Sequence, residues 1–206
     1  ETAIYKWYTK DSALAVSSVY DALSIFDGEA QFNGTLSITE KGMIGDGTIT
    51  VGQIRVKGDS LVFNDIDFKA KNSDFIVVDK DDPEVIHFEA KDVDITYDVW
   101  RHISKFETKE VGKETAYFPL HKYRSTMAKG EYQRSTGDLK LEGNSSYIKD
   151  NYFVSTDPKQ QGLTFQAKDS YYKLDTREIV VSGVPNIFVA DATITPKDNE
   201  VVIQAT

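Results

Sequence analysis

Apolar and polar positions alternate with a period of two along most of the chain. Gly47-Thr-Ile49-Thr-Val51, Gln53-Ile54-Arg-Val56-Lys57 and Asp138-Leu139-Lys-Leu141-Glu142 each place their apolar side chains on one face, as half-buried strands do. Residues 185–203 continue the pattern, with Phe188, Ala190, Ala192 and Ile194 sharing a face before a Pro196-Lys-Asp-Asn199 turn. Turn residues fall at Asp27-Gly28, Asn33-Gly34, Gly45-Asp46-Gly47, Asp81-Asp82-Pro83, Gly137-Asp138 and Asp157-Pro158, spaced like the ends of short strands. Asp11 to Phe26 reads two ways. It is either an amphipathic helix capped by Asp11 or two strands, Leu14-Ala-Val16 and Leu23-Ser-Ile25-Phe26. The all-β surroundings favour the strands.

A five-residue phrase rides on this alternation. Phe68-Lys-Ala-Lys-Asn72, Phe88-Glu-Ala-Lys-Asp92, Phe106-Glu-Thr-Lys-Glu110 and Phe165-Gln-Ala-Lys-Asp169 share it, and Phe188-Val-Ala-Asp-Ala192 repeats its first half. The intervals of 20, 18, 59 and 23 residues are close to multiples of about twenty. Phe and Ala point to one side of such a strand, so repetition stacks Phe on Phe and Ala on Ala. The Lys and Asp that follow mark where the strand leaves the core. A second pattern agrees: Tyr132, Thr136, Leu139, Leu141 and Gly143 are matched 40 residues later by Tyr172, Thr176, Ile179, Val181 and Gly183. These periods predict an all-β fold, an elongated, repeat-built β-jelly roll or β-solenoid with rungs of about 20 residues. No linker divides the chain, so residues 1–206 read as one domain, with 1–44 as irregular leading strands and 45–206 as rungs. The period suits parallel and antiparallel sheets equally.

Over residues 126–194 the chain resembles the organic-solvent-tolerance (OstA-like) family, the β-jelly-roll repeat of lipopolysaccharide-transport bridge proteins. Ala167-Lys-Asp-Ser-Tyr-Tyr172, Thr176-Arg177, Ile179-Val-Val181 and Gly183-Val184 follow that family's rung, as do Tyr132, Thr136-Gly137, Leu139, Leu141 and Gly143-Asn144. Lys stands where the family often has Asp, residues 111–125 are irregular, and the likeness is poor before Gly45. The chain is also similar to segments of large Bacteroidetes-type envelope proteins. The resemblance implies a periplasmic, outer-membrane-associated or cell-surface module, with Phe68, Phe88, Phe106, Phe165 and Phe188 lining an apolar interior or groove for lipid.

Composition narrows the chemistry. A net charge of −9 argues against binding a nucleic-acid backbone. No cysteine is present, which removes disulfides, thiolate metal sites and cysteine nucleophiles. Both ends look cut, as in a mature form or a fragment of a longer chain, and no apolar stretch approaches the roughly 20 residues that span a bilayer.

His87, His102 and His121 are too scattered for a metal motif and read as surface or strand histidines. Asp79-Lys-Asp81-Asp82-Pro-Glu84 offers carboxylates for calcium but lacks the glycine and spacing of a calcium loop, so turn chemistry is the simpler reading. Gly45-Asp46-Gly47 is a hairpin turn, not a phosphate cradle, and no Gly-x-Ser-x-Gly elbow occurs. No cofactor, metal or catalytic group is therefore expected. Aromatic clusters at Tyr5-Lys-Trp7-Tyr8, Tyr97-Asp-Val-Trp100 and Tyr171-Tyr172 suit packing or sugar stacking, with Trp7 and Trp100 the surface candidates. Asn33-Gly-Thr35 and Asn144-Ser-Ser146 match the glycosylation triplet. The expected function is a non-catalytic envelope module of OstA-like architecture, with lipid or glycan as ligand and end-to-end contact with further repeats or an envelope protein. The alternatives are a carbohydrate-binding surface module and a solenoid polysaccharide lyase.

Overall fold

The computed structural model describes residues 2–144 and 148–205. Ser145 and Ser146 of the second glycosylation triplet lie outside them. Among the described residues twenty strands form, joined by tight turns and short 3-10 segments: β1 (Ala3–Tyr8), β2 (Ala13–Ser18), β3 (Leu23–Ile25), β4 (Ala30–Thr39), β5 (Gly42–Val51), β6 (Ile54–Phe63), β7 (Asp67–Val78), β8 (Ile86–Asp98), β9 (Ile103–Thr108) and β10 (Ala116–Phe118). There follow β11 (Tyr123–Ser125), β12 (Lys129–Gln133), β13 (Asp138–Glu142), β14 (Tyr152–Ser155), β15 (Thr164–Gln166), β16 (Asp169–Lys173), β17 (Glu178–Ser182), β18 (Ile187–Val189), β19 (Ala192–Ile194) and β20 (Glu200–Gln204). The ambiguous segment is two strands, β2 and β3.

Every pairing among the described residues is antiparallel, and the strands make one branched sheet. A first ladder runs β3-β4-β5-β6-β7-β8-β10-β11-β14-β15-β18-β19. A second runs β1-β2-β4-β5-β6-β7-β8-β9-β12-β13-β16-β17-β20. The long strands β4 to β8 belong to both. In β8, for example, Ala90 pairs with Ala116 of β10, whereas Ile95 pairs with Phe106 of β9. Beyond β9 the chain passes from one ladder to the other after every hairpin: β10–β11, β14–β15 and β18–β19 lie in the first, β12–β13 and β16–β17 in the second.

Strands bend sharply only where side chains are absent or the backbone bulges. Gly34, Gly47 and Gly58 meet across β4, β5 and β6, so three neighbouring strands place glycine on one line, which corrects the turn reading of Asn33-Gly34 and Gly45-Asp46-Gly47: both lie within strands. A methyl at Gly34 would run into the Asp46 carbonyl, and one at Gly47 into the Asn33 carbonyl. In β7 and β8 the bend falls at Asn72 and Asp92, with φ of 48° and 56° and broken register alongside. Both are the fifth residue of the repeated phrase, where the alternation predicts departure from the core.

The inward faces of the ladders meet across one core. Phe75 of the first ladder lies 5.0 Å, centroid to centroid, from Phe106 of the second, and Phe118 lies 5.5 Å from Tyr172. Phe68, Phe88, Phe106 and Phe165 are buried, as are Ala70, Ala90 and Ala167. Phe188 is not: it is 67% exposed, which corrects the inward assignment for that residue. The cause is register, because Ile187 pairs with the buried Phe165 and takes the inward position, turning Phe188 outward.

The 40-residue match is a pair of like hairpins. Tyr132 faces Leu139 in β12–β13, Tyr172 faces Ile179 in β16–β17, and all four side chains are buried. Their turns place Gly137 and Arg177 at φ of 69° and 54°. An inward row crosses the second ladder from Phe68 through Tyr97, Ser104, Tyr132, Leu139, Tyr172 and Ile179 to Ile203.

Candidate functional site at the mouth of the folded sheet

Opposite the glycine line, the hairpin turns of the two ladders face each other across a cleft of about 830 Å³. The first ladder contributes Gly52, Gln53, Arg55 and the loop of Asp79, Lys80, Asp81 and Pro83, and the second contributes residues 134–137 with Leu174, Asp175 and Arg177. This volume lies within the usual range for ligand pockets. Sequence reasoning missed it because its lining comes from four turns far apart in the chain.

Polar bridges span the cleft. Arg134 Nη1 lies 3.2 Å from Glu29 Oε2, and Arg177 Nη2 lies 3.2 Å from Asp79 Oδ2. His87 sits between the ladders, its Nδ1 2.7 Å from the Tyr172 hydroxyl and its Nε2 3.0 Å from Asp79 Oδ2. A neutral ring satisfies both contacts if Tyr172 O–H donates to Nδ1 and Nε2–H donates to the carboxylate. His121 Nε2 donates to the Arg177 carbonyl at 2.8 Å. His87 and His121 are both buried: His87 is a strand histidine, in β8, whereas His121, in the 3-10 segment Pro119–His121, is neither a surface nor a strand residue, which corrects its reading.

Burial pushes the Tyr172 hydroxyl above its ordinary pKa and stabilises the neutral form. Asp79 moves the other way, to about 2, because the Asp81 amide and then His87 stabilise its carboxylate. Burial lowers the pKa of His121. Each shift favours the charge state that holds the turns together.

The calcium candidate resolves into turn chemistry. Asp79 Oδ1 accepts from the amides of Asp81 and Asp82, Oδ2 is taken by His87 and Arg177, and Asp82 Oδ1 accepts from the Glu84 amide. Among the described residues no cluster of three or more His, Asp or Glu side chains could hold a metal.

The structure separates the remaining candidates. Phe68, Phe88, Phe106 and Phe165 lie within a ring-filled core, with Phe106 and Phe88, for instance, 5.5 Å apart; Phe106 also lines a hollow on the second ladder. Trp7 and Trp100 are exposed, at 58% and 77%, on the first strand of the sheet and on the β8–β9 turn. A shallow hollow on the outer face of the second ladder is ringed by the exposed pairs Lys105–Glu131 and Lys129–Glu107, at 3.2 and 3.5 Å. Cross-strand ion pairs of this kind are ordinary surface chemistry. No family model, curated protein or solved structure matches the chain.

Proposed function

We propose that the chain is a non-catalytic structural or binding module of a cell envelope, a jelly roll that joins further β-structure end to end. The antiparallel alternation supports the jelly-roll alternative, because a solenoid wound in one sense stacks its rungs in parallel. The OstA-like resemblance supports export to the periplasm, the outer membrane or the cell surface.

The distribution of exposed apolar side chains carries the reading. Ile4, Tyr5, Trp7 and Tyr8 are exposed at one end of the sheet, and Phe188, Val189, Ile194 and Val202 at the other. Tyr5 pairs with Val16 and so faces inward, but β1 extends the second ladder one strand beyond its counterpart β3 and nothing opposes it. Unpaired edges with apolar faces are what strand addition requires. Lipid holding within the same architecture requires the mouth to part, since the interior is filled by aromatic rings.

Sedimentation equilibrium tests the joining. The chain is expected to associate at tens of micromolar, and Tyr5→Lys with Val202→Lys to abolish this without lowering Tm. A chain that stays monomeric, or variants that associate unchanged, would contradict it. The second reading, carbohydrate binding, rests on the exposed Trp7 and Trp100. It predicts glycan-array signals that Trp7→Ala and Trp100→Ala remove.

A further inference from the structure

Arginine is scarce in this chain, and most of it converges on the mouth. Three of five arginines (Arg55, Arg134 and Arg177) line the cleft, but only one of nineteen lysines, Lys80. That bias points to a ligand, because guanidinium is the planar, bidentate partner of oxyanions and lysine only a point charge.

Two of the four cations are engaged by the fold. Arg134 pairs with Glu29, and Arg177 with Asp79. Arg55 donates to the Pro83 carbonyl at 2.8 Å and makes no ion pair among the described residues; neither does Lys80. Across the cleft the second ladder presents Asp175, a carboxylate without an ion pair among the described residues, beside Ser135 and Thr136. One wall thus offers unpaired cations and the other a carboxylate and hydroxyls.

Two simple ligands fit this arrangement poorly. A bare oxyanion such as phosphate can engage Arg55 and Lys80 but leaves Asp175, Ser135 and Thr136 on the other wall without a partner. A neutral sugar desolvates Arg55 and Lys80 and gives them no counter-charge. A sugar bearing a carboxylate satisfies both walls, its acid on Arg55 and Lys80 and its ring hydroxyls on Asp175, Ser135 and Thr136. We propose that the mouth cleft binds an acidic saccharide, a sugar chain carrying carboxylates. This site contains neither tryptophan and neither sheet end, so its failure is distinct from failure of the end-joining or tryptophan-based readings.

Titration calorimetry of the whole chain with trigalacturonic acid at low ionic strength tests the assignment, with maltotriose and sodium phosphate in parallel. Saturable binding of trigalacturonic acid is expected, weakened at least tenfold by Arg55→Gln with Tm unchanged, since Arg55 does not bridge the ladders. Lys80→Gln is the second variant, expected to weaken binding at least threefold, and it decides the matter should Arg55→Gln fail to fold. No saturable heat, affinity unchanged in the folded variants, or maltotriose or phosphate binding as tightly would overturn the assignment.

Discussion

Phe88 and Phe188 hold the same place in the same phrase, yet one is buried and the other exposed. Phe88→Ala should cost roughly 3–5 kcal/mol through lost burial and a cavity, and Phe188→Ala no more than about 0.5 kcal/mol; urea unfolding of both checks this. Gly34→Ala should cost about 2–3 kcal/mol, since backbone and neighbour cannot both keep their places at the bend. Its Tm should fall by roughly 4–12 °C. His121 adds a pH dependence. Its folded pKa lies below the usual 6.5, so the unfolded chain takes up more protons as pH drops through that value, and stability must fall on acidification. His121→Gln does not titrate and can still donate to the Arg177 carbonyl. It should flatten stability between about pH 7 and 5, followed by thermal melts across the range.

The matched hairpins allow an internal comparison at the scale of elements. Tyr172 and Tyr132 occupy equivalent positions, but only Tyr172 has a hydrogen-bond partner among the described residues, His87. Tyr172→Phe leaves a buried imidazole nitrogen unsatisfied and should cost about 1–3 kcal/mol, while Tyr132→Phe should be neutral or stabilising. The hairpins themselves were legible, because a turn and an alternating strand are local patterns and their 40-residue offset is visible in Tyr, Thr and Gly. The bends at Asn72 and Asp92 were half-legible, since the phrase marks them but carries no geometry. Branching at β8 was not, because nothing in Ile86–Asp98 says that its two halves take different neighbours. The Arg134, Arg177 and His87 bridges were hidden for the same reason: contacts across ladders leave no periodic trace. Phe188 misled because the phrase reports alternation, and alternation without register does not say which face is inward.

For the molecule as a whole, the count of strands limits how ends can join. The second ladder holds an odd number in unbroken antiparallel alternation, so its first and last strands, β1 and β20, run the same way. A copy added head to tail would meet it in a parallel seam, whereas β20 against β20 of a second copy stays antiparallel, the slightly more stable arrangement. The chain has no native cysteine, so Val202→Cys gives a clean probe. Oxidation should link like ends, giving more dimer than a mixture of Tyr5→Cys and Val202→Cys gives heterodimer. All of this rests on one antiparallel sheet folded along a glycine line, with β8 shared between two ladders. Nuclear Overhauser contacts across β8 test that most directly. The fold predicts antiparallel contacts of Ala90 with Ala116 and of Ile95 with Phe106 in the same molecule. Ala90 and Ile95 both pair with β7 on one side, so parallel contacts, or a single strand facing both of them on the other side, would contradict it.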